Sequence, residues 1–220
     1  MRTRVVQKDV TNRDLTAYLR SAREDGIELI CFGELAVSGC LYSRRAVKPI
    51  ESWLELFAPY GLRVMCGLPV RDEEARLQNV YLYCYEGRYL TYSKVHLFPA
   101  MNEDKVYTAG TSPGIWQTDF GRVGVAICYD IRFEGLFTEL RRRKVETLFV
   151  PAAFPRVRIG DWSRLLIERA RQCRCPVVGI NAIGNDGVNE FGGRSAVLAS
   201  DGSVIAEADE TSETILDVDL

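Results

Sequence analysis

Apolar and polar positions fall in short, well-bounded blocks along this chain, and each block predicts an element. Residues 3–7, around the Val5-Val6 pair, read as a strand. Leu15, Tyr18, Leu19 and Ala22 share one helical face, with Thr11 or Asn12 as the candidate cap and Gly26 as the stop. Residues 27–32 are mostly apolar, as in a strand buried on both faces. Val47, Ile50, Leu54 and Phe57 repeat at helical spacing before Pro59 and Gly61. Strands are predicted at 63–68, 79–84 and 88–95, the last two joined by a turn at Glu86-Gly87. Further strands fall at 122–127, 147–152 and 177–183, with helices near 134–143 and around Trp162, Leu165, Leu166 and Ala170. The last forty residues are hairpin-rich: Asn185-Asp186-Gly187 and Asp201-Gly202 mark turns, with short runs at 195–199, 203–206 and 214–218. Strands and helices mix throughout, which predicts a layered α/β fold with mixed sheets, not a purely parallel one.

A length of 220 residues, set against about 150 per domain, favours one domain over 1–220. Hydrophobic residues at 47% and charged residues at 26% are globular proportions and argue against disorder. Twenty-eight basic and thirty acidic side chains leave a net charge of −2, which gives no electrostatic footprint for nucleic acid or a membrane surface. No apolar run approaches the length of a membrane span, and Arg2, Arg4 and Lys8 interrupt any signal-like stretch. Seven scattered cysteines fit a reducing, cytoplasmic compartment in which most are small core side chains. Zinc is not expected, because Cys173-x-Cys175 is too tight for a knuckle and His96 is the single histidine. The Arg141-Arg142-Arg143-Lys144 run reads as a solvated helix end.

Three polar residues stand at the ends of apolar strands, where ionisable groups need a reason. Glu34 follows Leu29-Ile30-Cys31-Phe32-Gly33, at a lip where partial desolvation suits a general base. Lys94 lies in Tyr92-Ser93-Lys94-Val95-His96, where an ammonium can hold developing negative charge. Cys128 ends the run Val123 to Ile127 just before a helix-forming segment, the sequence shape of a strand-to-turn nucleophile elbow.

These segments carry a resemblance. "FGELAVSGC", "YSKVHLFP" and "GVAICYDIRFE" resemble the Glu, Lys and Cys motifs of the nitrilase superfamily of carbon–nitrogen hydrolases, in the same order. The likeness runs from "RVVQ" to "GGRSAVLASDGSVIAEA" and is nearest to the short omega-amidase-like members. It implies a four-layer α-β-β-α sandwich, a homodimer or larger assembly, and no metal or organic cofactor. It also implies a second acid after the lysine. Glu103 is the best match and Asp104 its rival. The chain departs from the family in having Gly33 where proline is usual and a short stretch between Cys40 and Arg63. In the helix around Trp162, Asp161, Gln172 and Cys173 replace the family's His, Glu and Asn.

The chemistry implied is hydrolysis of a small linear amide, such as an ω-amide of a dicarboxylic acid, through a thioester with release of ammonia. Glu34 would act as base and acid, Cys128 as nucleophile, and Lys94 with the Tyr129 backbone N–H would hold the oxyanion, each donor worth about 3–4 kcal/mol. Arg156 and Phe154, in "PAAFPRVRIGDW", are the candidate substrate contacts, with Arg158 on the same loop, since an arginine there suits a carboxylate. Alternatives are hydrolysis of an N-carbamoyl amino acid or a nitrile, a Cys–His protease using His96, and a catalytically silent binding homologue.

Overall fold

The computed structural model describes residues 1–39 and 46–220, so Cys40, at the end of the Glu segment, lies outside the described residues. Elements are numbered in chain order. One six-stranded sheet joins β1 (Arg2–Gln7), β2 (Leu29–Phe32), β3 (Arg63–Arg71), β4 (Leu77–Tyr85), β5 (Arg88–Ser93) and β14 (Thr214–Asp219), ordered β14-β1-β2-β3-β4-β5. A second joins β6 (Gly114–Thr118), β7 (Gly121–Val125), β8 (Thr147–Ala152), β9 (Val177–Asn181), β12 (Ala196–Leu198) and β13 (Val204–Glu207), ordered β13-β12-β9-β8-β7-β6. β10 (Ile183–Asn185) and β11 (Glu190–Gly192) form a separate hairpin. The helices are α1 (Thr16–Glu24), α2 (Ile50–Phe57), α3 (Glu134–Arg142) and α4 (Ile159–Cys173).

Period-two alternation sorts the first sheet between two partners. Val5, Leu29, Cys31, Met65, Tyr81 and Tyr83 face the second sheet and share a core with Val123, Val125 and Phe149. Tyr81 stacks on Trp116 across the gap, with ring centroids 6.3 Å apart. Val6, Ile30, Phe32, Val64, Cys66 and Leu82 face the other way, against Leu19 and Ala22 of α1 and Trp53 and Phe57 of α2. Phe137 and Leu140 of α3, with Trp162 and Leu166 of α4, cover the second sheet. A β-carbon on Gly179 would lie 2.6 Å from Leu166, so glycine there lets α4 lie tightly on β9. The expected α-β-β-α layering is what the chain forms. Edge strands β13 and β14 keep exposed positions, as strands paired on one side do.

Several boundaries differ from the sequence reading. Thr11 and Asn12 do not cap α1: Thr11 turns back to Asp9, Asn12 reaches Glu213, and Asp14 accepts the Thr16 N–H at 2.8 Å. The strand expected over 177–183 divides into β9 and β10 around Ala182. β6 and β11, both short, were not anticipated from their few apolar positions.

β1, β2 and β3 run parallel, and β5 shares their direction through two antiparallel pairings. In the other sheet β7, β8 and β9 are parallel. The carboxyl ends of both sets converge: a β-carbon on Gly33, after β2, would lie 3.3 Å from Ala152 O and 3.5 Å from Ile180 O. Strand carboxyl ends are where open α/β sheets bind ligands.

Candidate active site

Glu34, Lys94 and Cys128 follow β2, β5 and β7, and all three line one pocket at this junction. Glu34 stands on a turn whose next residue, Leu35, has φ +46°. Cys128 itself has φ +48° and opens the 3-10 turn Cys128–Arg132. A left-handed non-glycine residue costs about 1–3 kcal/mol, and here it turns the chain sharply after β7.

The acidic side chains pack around one ammonium. Lys94 Nζ donates to Glu34 Oε1 at 2.8 Å and to Glu103 Oε1 and Oε2 at 3.0 and 2.8 Å. The Ala153 N–H donates to Glu34 Oε2 at 2.9 Å, and the Phe98 N–H to Glu103 Oε2 at 2.7 Å. All three side chains are buried. Burial pulls the Lys94 amine down, but the Glu34 and Glu103 carboxylates outweigh it and hold its pKa well above the ordinary lysine value. Burial, with the Glu34 charge next, pushes the Cys128 thiol well up, and Lys94 only partly offsets this. Cys128 therefore rests as a thiol and needs a base to become nucleophilic.

Of the two acids left open by the sequence, Glu103 is buried against Lys94 while Asp104 is exposed. Phe154 lines the pocket, as do Tyr129, Arg132 and Arg158. Arg156 does not. It pairs with Glu190 at 3.1 Å and donates to Glu210 O at 2.8 Å, on the far side of its turn. Arg132 pairs with Asp161 at 3.0 Å and lies over the Phe154 ring. Arg158 is exposed at the pocket rim and has no acidic partner among the described residues.

Asn79, Gly67, Asp130 and Tyr92 escaped the sequence reading as parts of the site. Asn79 Nδ2 bonds Glu34 Oε1 at 2.7 Å and Glu103 Oε1 at 2.9 Å. Its place at the start of an apolar run read as a strand boundary. Gly67 of β3 lets the Glu34 turn lie against it: its N–H donates to Gly33 O at 3.1 Å. Asp130, fully buried, accepts from Ile127 N and Tyr92 Oη at 2.9 Å and from His96 N at 2.8 Å. Tyr92 is thereby a neutral donor, since burial and then the Asp130 charge push its phenol up. This carboxylate ties the Lys94 segment to the Cys128 elbow. His96 Nδ1 also faces Asp130, at 2.8 Å, and its ring stacks on Phe133. The histidine is thus committed to Asp130.

Residues 5–220 match the model of the carbon-nitrogen hydrolase family. The chain belongs to the carbon-nitrogen hydrolase family. Among curated relatives, a 2-oxoglutaramate amidase of Bacillus subtilis is 33% identical over 160 residues, 71% of this chain and 62% of that protein. The chain thus spans less than two thirds of that relative's length. Omega-amidase YafV of Escherichia coli is 29% identical over 201 residues, 89% of this chain and 78% of that protein. Among solved structures, a CN-hydrolase superfamily protein of Xanthomonas campestris with an arsenic adduct in its active site superposes with a TM-score of 0.85. It is 25% identical and covers 99% of this chain and 89% of its own. Among the described residues, no helix of this carbon-nitrogen hydrolase is long and apolar enough to cross a membrane, and no group of three His, Cys, Asp or Glu could hold a metal ion.

Proposed function

We propose that this protein hydrolyses the C–N bond of a small linear amide, an ω-amide of a dicarboxylic acid, through a thioester on Cys128. The observation that carries this reading is the cluster of Glu34, Lys94 and Glu103 at 2.8–3.0 Å, buried in the pocket that Cys128 also lines. Glu34 takes the thiol proton as sulfur attacks the amide carbon. Lys94 and the Tyr129 N–H hold the oxyanion. Glu34 then passes the proton to the leaving nitrogen, the C–N bond breaks, and ammonia leaves. Water, deprotonated by Glu34, attacks the thioester, and the proton returns to sulfur as the free acid forms.

Two observations favour a dicarboxylic substrate. Relatives carry the names 2-oxoglutaramate amidase and omega-amidase. Arg158, at the rim without an acidic partner among the described residues, offers a guanidinium to a distal carboxylate. Arg132 stands beside it but is shared with Asp161. Phe154 supplies an apolar wall for the carbon chain. The same reading has residues 1–220 working as one domain, in a homodimer joined through α3 and α4, in the reducing cytoplasm that suits its free cysteines.

The test is ammonia release from a panel of short amides, ω-amides, N-carbamoyl amino acids and nitriles, comparing wild type with Cys128→Ala. Release from ω-amides by wild type alone is the expected result. Glu34→Gln and Lys94→Ala should each lose at least about 10²-fold. Full activity in Cys128→Ala would sink the mechanism, and Cys128-dependent release from another class alone would replace the substrate assignment.

A further inference from the structure

The proposed reaction asks two things of Lys94. Its ammonium bridges two buried carboxylates, and it must also present an N–H to the oxyanion. All three of its N–H groups are engaged at rest, one with Glu34 and two with Glu103. Asn79 bridges the same pair: its amide nitrogen has two N–H groups, one on Glu34 Oε1 at 2.7 Å and one on Glu103 Oε1 at 2.9 Å. The other end of that amide is different. Asn79 Oδ1 is buried with no hydrogen-bond partner among the described residues. Turning the amide over would set its oxygen against two carboxylates, so chemistry fixes the orientation. An asparagine held for its own stability would pair both ends. This one leaves its carbonyl orphaned and spends both donors on the acids. Its main chain takes part as well, since Asn79 O accepts the backbone N–H of Lys94 at 2.9 Å.

We propose that Asn79 is a positioning residue for the amide hydrolysis proposed above, on which this inference rests: a neutral, two-pronged donor that holds Glu34 and Glu103 in place while Lys94 turns to the oxyanion. When one Lys94 N–H leaves Glu103, Oε1 keeps its bond from Asn79 and Oε2 its bond from Phe98 N. A second cation could do the same, but it would compete with Lys94 for the acids and add charge. An amide adds none. Without Asn79, Lys94 is the sole donor shared by two like charges, and releasing it lets them repel. Asn79 does not line the pocket, so the effect belongs to turnover and not to substrate binding.

The test uses the full chain with Asn79→Leu, which keeps the branched shape and removes both donors, and Asn79→Ser, which restores one. Thermal unfolding, kcat and KM on the best amide, and the pH profile of Cys128 alkylation by iodoacetamide are measured together. In Asn79→Leu, kcat should fall about 10-fold or more with KM unchanged. The pH profiles of kcat and of alkylation should both move, because Glu34 and Glu103 have lost the neutral donor they share. Asn79→Ser should fall between Asn79→Leu and wild type. A folded Asn79→Leu with wild-type kcat and profiles overturns the proposal. So does a loss carried by KM with unmoved profiles, and so does failure of both variants to fold, which would make the residue structural. The alkylation profile needs no amide. A shifted profile in a chain that hydrolyses nothing on the panel would therefore sink the amidase reading and leave the role of Asn79 standing.

Discussion

Gly67→Ala is the smallest substitution that should disable the site, because it acts on the backbone that carries Glu34. A β-carbon at Gly67 would lie 2.4 Å from Gly33 O and Leu35 N and 2.7 Å from Glu34 Cα. Ordinary contact begins at 3.4 Å, so the two segments must part by about 1.0 Å (3.4 − 2.4). The obstructing atoms are main chain, and no side chain can swing aside. They are also tied together, Gly67 N to Gly33 O at 3.1 Å and Ala36 N to Gly67 O at 2.9 Å. Glu34 Oε1 now sits 2.8 Å from Lys94 Nζ and 2.7 Å from Asn79 Nδ2, and a shift of that size breaks one contact or the other. Overpacking of this kind costs about 1–3 kcal/mol, which for a chain of this size lowers Tm by roughly 2–12 °C. Misplacing a reacting group by about 1 Å costs on the order of 10²-fold in rate. Calorimetry and steady-state ammonia release read the two effects, and iodoacetamide labelling of Cys128 reads the site without substrate. A Gly67→Ala protein with wild-type Tm, kcat and labelling rate would refute the reasoning, since the Glu34 turn would then have room to give.

Two further outcomes follow from the buried charges. Lys94→Met leaves Glu34 and Glu103 without their cation and should cost about 3–5 kcal/mol, seen as a Tm lower by roughly 6–20 °C at neutral pH. The Lys94 pKa is raised in the folded chain, so its contribution is present at every pH below the ordinary lysine range and is lost only as pH rises through the higher folded value. Wild-type stability should accordingly show no loss from this residue between about pH 5 and 9. Asp130→Ala would leave Ile127 N, Tyr92 Oη and His96 N without their acceptor, at about 1–3 kcal/mol for each buried donor. Urea unfolding should register a midpoint well below wild type, and an unchanged midpoint would show that the clamp between the Lys94 segment and the elbow bears no stability.

The hydrophobic pattern and the ends of its apolar runs determined most of what this chain is. Strands buried on both faces read as near-continuous apolar runs, and a charge or thiol at the end of such a run marks a place where the sheet meets solvent or substrate. Glu34 and Cys128 were legible for that reason, as was the mixed α/β class, whereas Lys94 follows the largely exposed edge strand β5 and was legible from the residues around it. What the pattern could not decide was anything set by direction or by contact between distant segments. Neighbouring residues on a 3-10 turn point different ways, so Asp104 stood as a rival to Glu103 until the turn placed Glu103 under Lys94. Arg156 and Arg158 stand two apart on another such turn, and only the fold turns one toward Glu190 and the other to the pocket rim. Asn79 and Gly67 look like a strand boundary and a small strand residue in one dimension. Their meaning lies in β3 and β4 passing beside the Glu34 turn, a juxtaposition made by sheet pairing across 45 residues of chain for Asn79. Local propensity fixes which segments become strands. Which side chain finds which partner at their ends is decided by sheet order, register and the close approach of backbones, and these exist only in the folded chain.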